Sequence, residues 1–286
     1  MQSAALKPTA GGFLQNPAIK RIRIAAEKEG ASSNAATYAG VISKTMYFLI
    51  VTMVGIGLFF FLDPILTNMA NGEIYTHASS NGIFLINITV IGGIVIAAVA
   101  VITLITALIA ILARKAIPVV GTLYVICEGY LLAFINNTLA PDYKWIGILA
   151  LVLTVAIVLA LLFLNVRAGV RPSGKFMKYV SAIFVTIILG GIIMFVLHFI
   201  PGLSAIASAY DTMMANPVIS IGLGVFFILI ACLFLISDFE AVRQIVASGA
   251  DKKYEWGCAF GIAYTVLYLY FKIFEIIVKV AGSKRS

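Results

Sequence analysis

The chain has 286 residues, of which 62% are hydrophobic and only 11% charged, and its mean hydropathy is +1.08. A water-facing surface needs far more charge than that, so the composition excludes a soluble globular domain. The net charge of +8 does not imply a nucleic-acid partner, because the basic residues are scattered through short segments between apolar runs.

Residues 1–42 contain no apolar core of the kind a signal peptide needs and are expected to form an N-terminal tail. Within it, residues 13–29 mix apolar and basic positions. They suit either a short helix on an anionic membrane surface or a solvated tail. Seven runs then follow, near 43–62, 86–112, 117–139, 144–165, 177–200, 217–237 and 256–281. Each is long enough for a helix to cross a hydrocarbon core, which takes about 20 residues. Asp63-Pro64 is the expected stop of the first run. Arg114, Lys115 and Pro118 separate the second from the third, and Asn137 through Pro141 close the third. Pro201-Gly202 closes the fifth. Asn216-Pro217 reads as a cap followed by a proline in the first turn, and Gly249 and Gly282 read as the last two stops. The expected fold is an all-α integral membrane protein, a bundle of seven transmembrane helices over 43–281 with a short C-terminal tail at 282–286.

Basic residues set the expected orientation. Six lie between the N-terminus and Lys44. Alternate connections add Arg114 and Lys115, then Arg167, Arg171, Lys175 and Lys178, then Arg243, Lys252 and Lys253, fifteen in all. The opposite connections hold Lys144 alone. This asymmetry predicts a cytoplasmic N-terminus in a cell (plasma or inner) membrane. Seven spans put the C-terminus outside, where Lys279, Lys284 and Arg285 fit poorly: either late charges carry little topogenic weight or the last run does not fully cross.

Ionisable residues at membrane depth are costly and therefore informative. Glu128 lies in the middle of the third run, ten residues past Pro118 and so about 15 Å along a helix. It suits either an ion or proton site or a neutral acid bonded between helices. Asp238 and Glu240, with Arg243, are expected to end the sixth span near the membrane surface, where Glu240 and Arg243 can pair at i, i+3. Lys272 and Glu275 in the last run have the same spacing and can neutralise each other, or serve as counter-charges. Asp63, Glu73, Asp142 and Asp211 fall on the outer side and form either an acidic vestibule or ordinary loop carboxylates. Cys127, Cys232 and Cys258 have neither metal-ligand nor disulfide spacing. His77 and His198 are the only histidines, and no hydrolase, nucleotide or dinucleotide motif is present. No enzymatic activity and no cofactor are expected.

Four stretches together resemble the bacterial branch of the Bax inhibitor family. They are Asn16-Pro17-Ala18-Ile19, Cys127-Glu128-Gly129, Ser237-Asp238-Phe239-Glu240 with Gly249-Ala250, and Glu255-Trp256 through Ala259-Phe260-Gly261 to Leu269-Tyr270-Phe271-Lys272. The resemblance implies a slow Ca²⁺ leak, with a pair of acids on the last two helices sensing pH. Asp238 matches the first of that pair. The second falls on Lys272, where the family places an acid, and Glu275 falls where relatives often carry a base. Two facing carboxylates share a proton and titrate together, whereas a carboxylate facing lysine forms a salt bridge over a broad pH range. The resemblance therefore implies a weaker pH response in this chain. Counted from Trp256, Lys272 lies about 24 Å along its helix. It reaches Asp238 only if that helix starts outside the membrane. A non-conducting regulator that binds another membrane protein, such as a membrane protease, and a proton-coupled carrier are the alternative readings.

Overall fold

The computed structural model describes residues 24, 25, 29–69, 75–80, 83–139, 145–170, 172–198, 200 and 202–283. Most of the 13–29 segment lies outside them. The elements in order are α1 (Tyr38–Met69), β1 (Tyr75–Ser80), β2 (Ile83–Ile88), α2 (Val90–Leu112), α3 (Ile117–Leu139), α4 (Trp145–Arg167), α5 (Gly174–Leu197), α6 (Ser204–Ala215), α7 (Pro217–Ala247) and α8 (Glu255–Ser283). Seven of these helices are long and apolar enough to cross a membrane. The molecule is a multi-pass membrane protein.

Four boundaries differ from the sequence reading. α1 does not stop at Asp63-Pro64 but continues to Met69. A proline removes one helical hydrogen bond, and the bonds on either side carry the helix past it. α2 starts at Val90 rather than 86 because Ile83–Ile88 pairs with Tyr75–Ser80 as an antiparallel hairpin, in register Tyr75↔Ile88 to Ser80↔Ile83. The Asn81-Gly82 dipeptide between the strands is the sequence signal for such a hairpin. A twelve-residue helix, α6, occupies the connection before Asn216. α7 runs 31 residues, well past 237, so its acidic stretch is helical rather than terminal. The Asn216 side chain accepts from Val218 N at 3.0 Å and Ile219 N at 3.4 Å, with Pro217 in the first turn, as the sequence predicts.

α8 is the hub and packs against α1, α3, α4 and α7, while α5 and α6 lie on the periphery beside α7. Over half of the apolar window of α3 is buried within the protein (56%), against 12% for α5. Sequence hydropathy does not distinguish these two roles, because a lipid-facing side chain is as apolar as a core one. The closest crossing joins α1 to α3. An added Cβ at Gly55 would stand 2.1 Å from the Ile126 carbonyl oxygen, and one at Gly129 would stand 2.1 Å from the Thr52 carbonyl oxygen. Only glycine permits backbones this near.

At one end of the bundle the chain before α1 is stitched to the turn between α7 and α8. That turn ends α7 through Gly249 at φ +68°, with Ala250 N donating to Ile245 O. Ser32 N donates to Gly249 O, Ala36 N to Ala250 O, and Lys252 N to Asn34 O. Asp251 accepts from Lys253 N and from the Ser32 hydroxyl, both at 2.9 Å, and these two donors hold its carboxyl below its ordinary value. Their contribution is present above the ordinary carboxylate range and is lost as pH falls through the lowered value.

Candidate functional site

Three carboxylates enter the bundle around α8, and each meets different chemistry. Glu255, in the first turn of α8, is fully buried and ion-paired with Lys44 of α1. It also accepts from Thr37 N at 2.9 Å and from the Thr37 hydroxyl at 3.2 Å. Gly40 makes room for it, since a Cβ there would lie 2.2 Å from Glu255 Oε1. The Lys44 ammonium also sits 5.4 Å from the centre of the Trp256 ring. This cluster neutralises its own charge and ties α8 to α1.

Asp238 of α7 is fully buried. It lies nine residues before the end of its helix, about 14 Å along the axis from that end. The Thr265 hydroxyl of α8 lies 2.7 Å from Asp238 Oδ2 and 3.1 Å from the Gly261 carbonyl oxygen. Three oxygens from two helices therefore converge: a carboxylate, a hydroxyl and a carbonyl.

Glu128 sits in the middle of α3, one turn after Tyr124. It lines a cavity of about 80 Å³ with Tyr124, Tyr264, Tyr268 and Phe271. Glu128 and Asp238 thus approach α8 at the same level but on different faces. Thr265 follows Tyr264 directly, and successive helical residues point about 100° apart.

Lys272 does not face Asp238. It lies seven residues beyond Thr265, about 10 Å along the axis, and donates to Glu275 at 2.7 Å. Lys279 binds the same carboxylate at 2.5 Å. The i, i+3 pair read from the sequence is therefore present, extended by a second lysine. α8 begins beside the end of α7, and antiparallel packing sets Asp238 against Thr265 and leaves Lys272 two turns further on. Glu240 forms the expected pair with Arg243 at 2.8 and 3.0 Å and also accepts from Gln244 at 3.1 Å. Both residues lie nearer than Asp238 to the end of α7. Asp211 pairs with His198 at 3.0 Å near the opposite end. Cys127, Cys232 and Cys258 are free.

Reasoning from sequence missed Glu255, Thr265 and the tyrosines at 264 and 268. Glu255 carried one signal, an acid in the first turn of a helix. Thr265 and the tyrosines carried none, because a hydroxyl in an apolar run acquires meaning only from the helix that packs on it.

Residues 16–282 match the family model described as Bax inhibitor 1 like. No curated protein and no solved structure matches the chain.

Proposed function

The chain belongs to the Bax inhibitor 1 like family, and on that premise we propose that it is a slow Ca²⁺ leak whose conducting route passes the Asp238–Thr265 site. One observation carries this reading: the convergence of Asp238 Oδ2, Thr265 Oγ1 and the Gly261 carbonyl inside the bundle. Ca²⁺ is a hard cation that takes several oxygen ligands, and carboxylate, hydroxyl and carbonyl oxygens are the donors it accepts. Three protein oxygens completed by water make a weak site. A conducting path requires this, since an ion must leave as readily as it enters. Lys272 and Lys279 share the Glu275 carboxylate further along α8 and stand outside this route. Glu240 and Arg243, nearer the end of α7, are likewise paired with each other.

The test is Ca²⁺ entry into dye-loaded liposomes that contain the purified protein. The native protein is expected to admit Ca²⁺ faster than empty vesicles do. Asp238→Asn should slow entry about tenfold, which corresponds to losing roughly 1.4 kcal/mol of ion stabilisation. Native protein no leakier than bare lipid would refute the reading.

The orientation follows from the fifteen-to-one distribution of basic residues between the two faces. We expect the stitched end to be cytoplasmic. A cysteine introduced at Ser173 should react with an impermeant maleimide only after the membrane is opened. Labelling of intact cells at that position would reverse the orientation.

A further inference from the structure

The cavity beside Glu128 has a donor set unlike that at Asp238. Its walls are the rings of Tyr124, Tyr264, Tyr268 and Phe271, and Glu128 is its one carboxylate. Tyr124 and Tyr264 lie 5.9 Å apart at 35°, and Phe260 supports both from behind, at 5.4 and 6.5 Å. Phe184 of α5 abuts Tyr268 edge-on at 6.3 Å. The rings are thus held in place by a wider aromatic wall. Tyr264 is 41% exposed, so the cavity opens beside it at the α3–α8 seam.

This is poor ground for Ca²⁺, which needs six to eight oxygens. It suits a cation that is weakly hydrated and carries apolar surface. Aromatic faces attract such a cation through their quadrupoles, and one carboxylate supplies the opposite charge. Two of these rings already attract an ammonium, since Lys272 Nζ sits 6.0 Å from the Tyr268 centroid and 5.8 Å from that of Phe271. That lysine is committed to Glu275, whereas Glu128 lines the cavity. The cavity of about 80 Å³ exceeds the ~10–15 Å³ that admits one water. It is far below the roughly 300 Å³ and more of a drug-sized pocket. Only a headgroup of a few heavy atoms fits.

We propose that Tyr124, Glu128, Tyr264, Tyr268 and Phe271 form a binding site for a small alkylated ammonium group. The group belongs either to a free amine or to a choline-type lipid headgroup. This site is separate from the Ca²⁺ route and does not depend on it.

Radiolabelled tetramethylammonium binding to the full chain in phosphatidylglycerol nanodiscs tests the proposal. Saturable binding is expected. Glu128→Gln should weaken it at least tenfold and Tyr264→Leu severalfold. Tyr264→Phe, which keeps the ring and loses the hydroxyl, should bind as the native protein does. Equimolar CaCl₂ should not displace the ligand. Weaker tetramethylammonium binding in nanodiscs that also contain phosphatidylcholine would support the site with a lipid headgroup as its source. Unchanged binding there would support it with a free amine. The gel-filtration profile of each variant reports its fold, and Tyr264→Leu, at an exposed position, gives a second reading if Glu128→Gln does not fold. No saturable binding by native protein, binding indifferent to both Glu128→Gln and Tyr264→Leu, or ready displacement by Ca²⁺ would overturn the proposal.

Discussion

Gly129→Ala is expected to lower stability by about 2 kcal/mol or more, the usual range for overpacking a filled interior. The added Cβ would lie 2.1 Å from the Thr52 carbonyl oxygen and 3.1 Å from Ile56 N. Both are backbone atoms, so no side chain can rotate away and α1 must move as a whole. The gain in helix propensity from glycine to alanine, roughly 1 kcal/mol, offsets only part of this. Gly55→Ala should behave alike, because its Cβ would meet the Ile126 carbonyl at the same crossing. Gly57 is the control. It lies on α1 only two residues from Gly55, with nothing within 4 Å of its Cβ position. Gly57→Ala should leave the melting temperature unchanged or raise it. Thermal unfolding of the three variants in one detergent settles the matter, and equal melting of Gly129→Ala and Gly57→Ala would show that the helices do not approach this closely. Gly129 follows Glu128, so moving α3 also displaces Glu128 from Tyr264.

Lys44→Met is the second substitution with a large expected effect, about 3–5 kcal/mol, the cost of stranding one member of a buried ion pair. Glu255 is fully buried, while the Lys44 side chain is 17% exposed. Among the described residues, Glu255 without the ammonium keeps Thr37 N and the Thr37 hydroxyl as hydrogen-bond donors. Much of the cost is an uncompensated charge rather than the net worth of the pair. The double variant Lys44→Met/Glu255→Gln should therefore recover most of the loss. A double-mutant cycle by thermal unfolding measures this coupling. Additive losses in the double variant would show that the two residues act independently. Gly40→Ala should weaken the same cluster from its other side, by pushing on Glu255 Oε1.

The seven spans were legible because each is a long apolar run, and bilayer thickness makes length alone diagnostic. The Asn216-Pro217 cap and the Gly249 stop were legible too, since they depend on the local chemistry of one or two residues. The short helix α6 was not, because twelve residues of mixed polarity are compatible with a loop. Nor was the passage of α7 through Ser237-Asp238-Phe239-Glu240, where polar side chains suggested a helix end. What carries that helix onward is the bonding of Glu240 to Arg243 and Gln244 and the burial of Asp238 against Thr265.

Glu128 stood out in the sequence because a carboxylate within an apolar run is costly wherever it points, and Asp238 stood out as an acid at the expected end of the sixth span. The partners of those acids did not. The resemblance paired Asp238 with Lys272, yet helix packing sets Asp238 two turns away at Thr265, and gives Glu275 to both Lys272 and Lys279. By itself, then, the sequence determined that this chain is a multi-pass helical membrane protein, where its spans lie and that Glu128 falls in the middle of one of them. Those properties follow from transfer free energies summed along the chain. Tertiary structure alone decided which helix is central, which glycines are indispensable and what each buried acid touches. Those depend on the rotation and depth of one helix against another, which a uniformly apolar surface leaves undetermined.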